Sequence, residues 1–250
     1  MIVTPAFGQT IPTTYRDDGI MTVFDGKWTF TDEWKRTTIE KVTYENGFKQ
    51  IIRIGHDFEY LYVLIDFVSD TSIERIADRG IICIDGFSDG GKIPKSDDYC
   101  FLVAMGSENV FTLQGGHILG QKGSYKKIEN HSDLIGIGGI SDKNDRYSKT
   151  PHATYEFRIP IEIFGRSDHY GFYFGSFDAE TKTHYNWPTN STNENYPFIP
   201  VPDQWGILFS PDKSIPEFSS VLIFVTLLIG IMFTIFLSKN KFDLRFQFKN

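Results

Sequence analysis

Short runs of alternating hydrophobic and polar residues recur between positions 49 and 210 of the chain. The runs are rich in Val, Ile, Phe and Tyr, and Gly, Pro, Asn and Asp separate them, which is typical of strands joined by turns. Nine strands are predicted on this basis, at 49–55, 59–67, 80–85, 98–105, 109–113, 134–140, 153–159, 170–178 and 204–210. From Leu61 to Phe67 the odd-numbered residues are apolar, whereas Tyr62 and Asp66 lie on the other face, so we expect this strand to be half-buried.

Helical signals in this region are confined to residues 72–79 and 160–164, each long enough for a turn or two. Many short strands with almost no helix predict an all-β fold, specifically an antiparallel β-sandwich. No Pro-, Gly- or Ser-rich linker divides the region, and its length suffices for one large core. We expect this sandwich to occupy residues 15–212.

The pattern changes abruptly at residues 218–238, which are hydrophobic and carry no charge. At about 1.5 Å per residue, a helix of this length spans roughly the 30 Å of a bilayer's hydrocarbon core. Lys239 and Lys241 follow it, and a basic flank stays on the cytoplasmic side. These features predict a tether at 213–217, a single transmembrane helix at 218–238 and a cytoplasmic tail at 239–250. The protein would then be a single-pass protein of the cell membrane with the sandwich outside.

Residues 1–14 also bear on export. Ala6-Phe7-Gly8 has the small-x-small pattern that precedes a signal-peptide cleavage point, although no basic or long apolar stretch stands before it. The segment is interpreted either as the remnant of a signal peptide or as a flexible N-terminus.

The charge balance excludes one class of partner. Of 25 Lys and Arg and 32 Asp and Glu residues, four basic and one acidic lie in the tail, so the remainder carries a net charge of about −10. Binding to phosphates needs a positive face, so a nucleic-acid partner is not expected.

The two cysteines, Cys83 and Cys100, lie in neighbouring predicted strands joined by a turn-rich segment. Antiparallel pairing of these strands can place the two sulfur atoms opposite each other, and a disulfide persists in the oxidising environment outside the cell. A metal site would need His or a second cysteine pair at ligand spacing, which the sequence lacks. We therefore expect a disulfide.

A sugar site needs flat aromatic faces for pyranose C–H groups and amides for the hydroxyl groups. Tyr185, Asn186, Trp187 and Asn190 combine these groups in a predicted loop, where function commonly lies. Trp28 can supply a second aromatic face. In the alternative interpretation, Tyr185 and Trp187 cover an edge of the core.

Oxygen ligands are concentrated at the turn that begins with Asp85 and Asp89 and returns at Asp97 and Asp98. Calcium takes six to eight oxygen ligands, commonly from such turns, so these residues form a candidate structural calcium site. The alternative is a solvated acidic hairpin.

Two N-glycosylation sequons begin at Asn130 and Asn190. A glycan at Asn190 would compete with a sugar site in the same loop.

The order of several motifs resembles that of family-nine carbohydrate-binding modules and related DOMON-like sandwiches. These motifs are Asp25-Gly26-Lys27-Trp28 with Asp32-Glu33-Trp34, the strand from His56 to Val63, Tyr155-Glu156-Phe157-Arg158-Ile159-Pro160, and Asp203-Gln204-Trp205-Gly206. The resemblance implies a sugar-binding sandwich, often with structural calcium. Glu33 and Glu156 then belong to scaffold motifs, and nothing indicates the fixed separation that a hydrolytic pair requires. Trp34 and Trp205 are expected to be packing residues.

Pro216-Glu217-Phe218, before the hydrophobic run, resembles C-terminal sorting signals read by archaeal exosortase-like transpeptidases. The resemblance implies a sortase-like processing enzyme as a partner. Many such signals carry a glycine after the Phe, whereas this chain has Ser219, so permanent anchoring by an uncleaved helix remains an alternative.

Together these features predict a non-catalytic, membrane-anchored carbohydrate-binding module at the cell surface. The rival hypothesis is a structural or adhesion protein of the cell envelope whose sandwich has lost the sugar site. A haem-binding DOMON protein would need Met and His as axial ligands. Apart from Met1 and the hydrophobic run, only Met21 and Met105 are available.

Overall fold

Two β-sheets account for nearly all the regular structure in a computed structural model that describes residues 9–16, 22–117, 124–192 and 197–211. The described strands are β1 (Thr10–Pro12), β2 (Thr14–Tyr15), β3 (Thr38–Thr43), β4 (Lys49–His56), β5 (Tyr60–Phe67), β6 (Arg79–Asp85), β7 (Asp98–Ala104), β8 (Val110–His117), β9 (Ser124–Ile128), β10 (Ile135–Ile140), β11 (Ala153–Pro160), β12 (His169–Asp178), β13 (Thr183–Trp187) and β14 (Gly206–Phe209). Two short 3-10 turns, Ile161–Ile163 and Pro202–Gln204, complete the regular elements.

The larger sheet has the strand order β1-β14-β12-β6-β7-β8-β9, with β13 also paired to β12. The smaller sheet has the order β10-β11-β5-β4-β2, with β3 also paired to β4. Most neighbours are antiparallel, as expected, but β1 runs parallel to β14 and β2 runs parallel to β4. Both sheets are therefore mixed, which corrects the purely antiparallel sandwich predicted from the sequence.

The main core lies between the two sheets and follows from the period-two alternation of their strands. In β12, for example, Phe172 and Phe174 point inward and are fully buried, and Phe157 of β11 is buried in the same cluster. The other residues of this cluster come from both sheets and include Ile52, Val63, Phe67, Ile82, Phe101 and Val103.

The outer face of the smaller sheet is also covered. Trp28 and Trp34 pack against Leu64 of β5, so the outer face of that strand is buried at Leu64 and Asp66 and half-buried at Tyr60 and Tyr62. The strand is therefore more deeply covered than the sequence predicts. Glu156 of β11 holds the covering segment, because its carboxylate accepts hydrogen bonds from the Gly26 backbone N–H (2.7 Å) and from Trp34 Nε1 (3.1 Å). Trp34 is therefore the packing residue that the sequence predicts.

The predicted disulfide is confirmed. Cys83 of β6 and Cys100 of β7 are direct cross-strand partners, and their sulfur atoms are bonded. Both side chains are buried on the outer face of the larger sheet, where Tyr173, Ile199 and Trp205 pack around them. Trp205 is therefore a packing residue, as the sequence predicts.

All nine predicted strands are present, with ends displaced by a few residues. Residues 160–164 contain a short 3-10 turn, whereas 72–79 form no helix. The sandwich already includes β1 and β2, so it begins before the boundary expected at residue 15. Within the described ranges, no helix is both long and apolar enough to cross a membrane. The small-x-small motif at Ala6, the tripeptide from Pro216 to Phe218, the hydrophobic run and the basic tail lie outside the described residues.

Candidate functional site

Strand register organises the outer face of the larger sheet into rows, because directly paired residues project from the same face. Phe177 of β12 is paired with Arg79 of β6 on one side and with His184 of β13 on the other. The three side chains therefore form a row at one end of the sheet. Phe198, from the segment that follows β13, extends this row, since its ring lies 5.8 Å from that of His184. We call Phe177, His184 and Phe198, with Arg79 beside them, the aromatic strip.

The strip is accessible to a ligand. Phe198 is 44% exposed, Arg79 is exposed, and Phe177 and His184 are half-buried. The rings of Phe177 and His184 lie 4.7 Å apart at 41°, so they form a continuous but angled apolar surface. The sheet holds both rings in place, whereas Phe198 belongs to a connecting segment.

Polar donors border this surface. The Arg79 guanidinium carbon lies 5.1 Å from the centre of the Phe177 ring, in cation–π geometry. Burial, and secondarily the charge of Arg79, lowers the pKa of His184, so this imidazole is neutral at physiological pH. Aromatic faces beside a guanidinium and a neutral imidazole can stack on a sugar ring and hydrogen-bond its hydroxyl groups.

A group of carboxylates lies directly behind the strip. Asp78 precedes Arg79 in the chain and Asp178 follows Phe177, and because successive strand residues face opposite ways, both aspartates point inward and are buried. Glu74, Asp78 and Asp178 can each offer one oxygen atom, and the three oxygens lie within 4.8 Å of one another.

Asp70 adds a fourth carboxylate to this group. Burial raises the pKa of Asp70 to about 7, and the charges of Asp78 and Asp178 add to the effect. In the described part of the chain, Asp70 Oδ2 and Glu74 Oε2 are buried without a hydrogen-bond partner. We call these four residues the carboxylate cluster. Its oxygen-only ligands are those that Ca²⁺ prefers.

The calcium site predicted from the sequence is assembled in part. Asp85, Asp89 and Asp97 bring one oxygen each within 4.8 Å of the others. Asp98 is the cross-strand partner of Asp85, and its buried Oδ1 has no partner among the described residues. However, Lys95 Nζ lies 2.7 Å from Asp89, so an ammonium group already neutralises part of this turn. No described lysine occupies the carboxylate cluster in the same way, which makes that cluster the stronger candidate for a cation.

The aromatic residues of the predicted sugar site lie in a strand and in the core, whereas the sequence predicts an exposed loop. Residues 184–187 belong to β13, not to a loop, because they pair with β12. The alternation of that strand turns Tyr185 and Trp187 into the main core, where they are 2% and 3% exposed. Trp187 stacks on Phe174 at 5.6 Å. Tyr185 and Trp187 are therefore core residues, as in the alternative interpretation of the sequence.

The other predicted sugar-binding residues are dispersed. Asn186 is buried, accepting a hydrogen bond from the Tyr173 hydroxyl (2.7 Å) and donating one to the Ser191 carbonyl (3.2 Å). Trp28 is 5% exposed and belongs to the segment that covers the outer face of the smaller sheet. Asn190 is exposed. The structure therefore does not bring Trp28 together with the residues of β13.

Trp187 does line one open cleft of about 430 Å³, together with Thr10, Glu40, Lys41 and Thr189. The cleft offers hydroxyl and charged groups, but a side chain that is only 3% exposed presents no ring face to it. Stacking of a sugar on Trp187 is therefore not available in this arrangement.

Glu33 and the sequon residue Asn130 both make hydrogen bonds within the domain. The carboxylate of Glu33 accepts hydrogen bonds from the backbone N–H groups of Val23 and Thr29, so it organises the same covering segment as Glu156. The first sequon asparagine, Asn130, uses its side-chain amide to bind the Val110 carbonyl and the Thr112 hydroxyl.

Comparison with known proteins adds information on the fold. No family model matches the sequence, and no curated protein matches it either. Among solved structures, a carbohydrate-binding module of family 9 from Caldicellulosiruptor kristjanssonii in complex with cellotriose is similar, with a TM-score of 0.52 and 16% identity over 83% of this chain and 98% of that chain. The same kind of module in complex with glucose has a TM-score of 0.52 and 15% identity over 81% of this chain and 95% of that chain. The chain thus shares the β-sandwich fold of these modules.

Proposed function

We propose that this protein is a non-catalytic carbohydrate-binding module. The observation that carries the proposal is the aromatic strip, a continuous surface of three rings beside an exposed guanidinium on one face of the sandwich. The similar modules were solved with cellotriose and glucose, which favours a glucose-containing oligosaccharide as the ligand. Glu33 and Glu156 accept hydrogen bonds from backbone N–H groups inside the domain. The proposal therefore gives these two carboxylates a structural role and not a hydrolytic one.

In this proposal, sugar C–H groups stack on Phe198 and Phe177, and Arg79 and His184 hydrogen-bond the hydroxyl groups. Binding on an open face of this kind is worth about 4–8 kcal/mol, which corresponds to millimolar to micromolar affinity. A glycan array probed with the purified protein tests the proposal, with cello-oligosaccharides as the expected ligands. If no glycan binds, the structural or adhesion hypothesis is favoured instead.

We also propose that the carboxylate cluster binds Ca²⁺ and thereby fixes the ends of β6 and β12 that carry the strip. Support comes from the two buried oxygens of Asp70 and Glu74 that lack partners among the described residues. The turn at Asp85 is the second proposed calcium site. Calorimetric titration of chelator-treated protein with Ca²⁺ tests both, and Asp178→Asn and Asp97→Asn distinguish them.

The cell-surface location is proposed on the sequence pattern alone. Residues 218–238 would anchor the protein, residues 239–250 would lie in the cytoplasm, and Pro216-Glu217-Phe218 would serve a sortase-like enzyme if the helix is cleaved. Protease added to intact cells should remove the sandwich and spare the tail. The reverse pattern, or mature protein found only in the soluble fraction of the cytoplasm, would reject this topology.

A further inference from the structure

A buried group of ionisable side chains lies away from the aromatic strip, at the opposite sheet. Asp66 is in β5, His152 immediately precedes β11, and Asp145 is in the connection between β10 and β11. All three side chains are buried. Asp66 and Thr154 are cross-strand partners, so the group joins the 141–152 connection to the middle of the smaller sheet.

The hydrogen bonds of His152 define which ring nitrogen can act as a ligand. Nδ1 lies 2.8 Å from the carbonyl oxygen of Thr150 and 2.8 Å from Ser141 Oγ. A carbonyl oxygen only accepts hydrogen bonds, so Nδ1 carries the proton. Nε2 lies 2.5 Å from Asp66 Oδ1, so the two atoms share a proton, and loss of that proton frees the Nε2 lone pair for a ligand on the side of the two carboxylates. A histidine whose Nδ1–H is fixed by a backbone carbonyl is the usual arrangement of a metal ligand.

Two carboxylate oxygens in the same place lack a partner. Asp66 Oδ2 and Asp145 Oδ2 are buried, and neither has a hydrogen-bond donor among the described residues. Unpaired buried oxygens of this kind are costly and are normally satisfied by a proton, a water molecule or a cation. One ligand atom from each of Asp66, Asp145 and His152 lies within 4.8 Å of the others. Two independent features, the hydrogen bonding of the imidazole and the unpartnered oxygens, therefore belong to the same three residues.

We propose that Asp66, Asp145 and His152 form a structural site for a divalent transition-metal ion of the Zn²⁺ type. The donor set decides the class of metal, because an imidazole nitrogen is a poor ligand for Ca²⁺ and Mg²⁺ but a good one for Zn²⁺. Binding displaces the proton shared between Nε2 and Asp66 and releases it to solvent, as metal binding to protonated ligands does. The ion fastens the 141–152 connection to β5.

The test uses the purified full-length chain after treatment with a chelator. Titration with Zn²⁺ should show one tight site and a rise in melting temperature, whereas Ca²⁺ should not compete for it. His152→Gln should abolish this site. His184→Gln, on the aromatic strip, is the matched control and should retain it. Binding that persists in His152→Gln, or a wild-type protein with no tight Zn²⁺ site, overturns the proposal.

A second measurement does not depend on the folding of a variant. Co²⁺ bound to the wild-type chain should give the visible absorption of a low-coordinate site, and X-ray absorption should report one imidazole with oxygen ligands. A shell of several imidazoles would assign the metal to surface histidines instead and reject the proposal.

Discussion

Phe177 and His184 are direct partners across β12 and β13, and their ring centres lie 4.7 Å apart on the outer face of the larger sheet. Their relative position is set by backbone pairing, so little ordering is needed when a ligand arrives. A preformed surface loses less entropy on binding than a mobile loop does. The relationship also separates the two strip residues that the sheet fixes from Phe198, which belongs to a connecting segment.

The first prediction concerns Phe198→Ala. Removing this 44% exposed ring should weaken oligosaccharide binding by roughly tenfold, or about 1.4 kcal/mol, with little effect on the melting temperature. Isothermal titration and thermal unfolding measure the two effects. Phe111→Ala is the control, because Phe111 is 41% exposed on the same sheet but outside the strip. Equal losses of affinity in both variants would place the site elsewhere.

The second prediction concerns Trp187→Ala. Because Trp187 is buried against Phe174, truncation should destabilise the domain by about 3–5 kcal/mol. The folded fraction should keep its affinity for sugar. Chemical denaturation combined with binding at low denaturant measures both quantities. A stable variant that no longer binds sugar would restore the sequence-based interpretation of Trp187 as a ligand-stacking residue.

The third prediction concerns the disulfide between Cys83 and Cys100. The bond closes a short loop with a sequence separation of 17 residues, and its loss should cost roughly 3 kcal/mol. Reductant should therefore lower the melting temperature, and both thiols should resist alkylation until the protein is reduced. A double Cys→Ala variant that melts at the same temperature as the oxidised protein would contradict this.

The fourth prediction concerns the pH dependence of stability without calcium. The pKa of Asp70 rises from 3.8 to about 7 on folding, chiefly through burial. The folded protein therefore retains a proton that the unfolded chain releases. This contribution is fully present below the unfolded pKa and is lost as the pH rises through about 7.

In the presence of a chelator, the melting temperature should consequently fall between about pH 4 and about pH 7 and level off above that. Asp70→Asn, which mimics the protonated side chain, should show a smaller fall. Saturating Ca²⁺ should counteract the fall, because the metal binds the ionised carboxylates. An identical pH profile for wild type and Asp70→Asn would show that Asp70 is not responsible.

Nine of the fourteen described strands and the disulfide were predictable, because both depend on local pattern and direct pairing, whereas β1, β2, β3, β9 and β13 were not predicted as strands. The strip was harder to find. The alternation in β13 places Tyr185 and Trp187 on one face and His184 on the other, but the sequence alone does not say which face meets the core. The pattern favours the richer aromatic face as the ligand surface, whereas that face belongs to the interior. Phe198 gave no periodic signal, since it lies outside a strand.

The clusters of ionisable side chains differ in how well the sequence predicts them. Asp145 and His152 belong to one connection, but Asp66 lies far from both in the sequence, and only the pairing of β5 with β11 brings it to them. By contrast, Asp85, Asp89 and Asp97 belong to one turn, so their association was visible as a local concentration of acidic residues. A cluster whose residues share one turn is therefore visible in the sequence, whereas a cluster formed by strand pairing is not.

The short segment from Thr10 to Tyr15 has a consequence for maturation of the N-terminus. β1, in its first half, is an edge strand of the larger sheet, and β2, in its second half, is an edge strand of the smaller sheet. These six residues therefore connect the two sheets covalently. A recombinant chain begun at residue 15 would lack this connection. It would also leave β14 with an unpaired edge, and unpaired strand edges promote association between molecules. Any processing of the N-terminus would therefore have to stop before Thr10 for β14 to keep β1 as its partner.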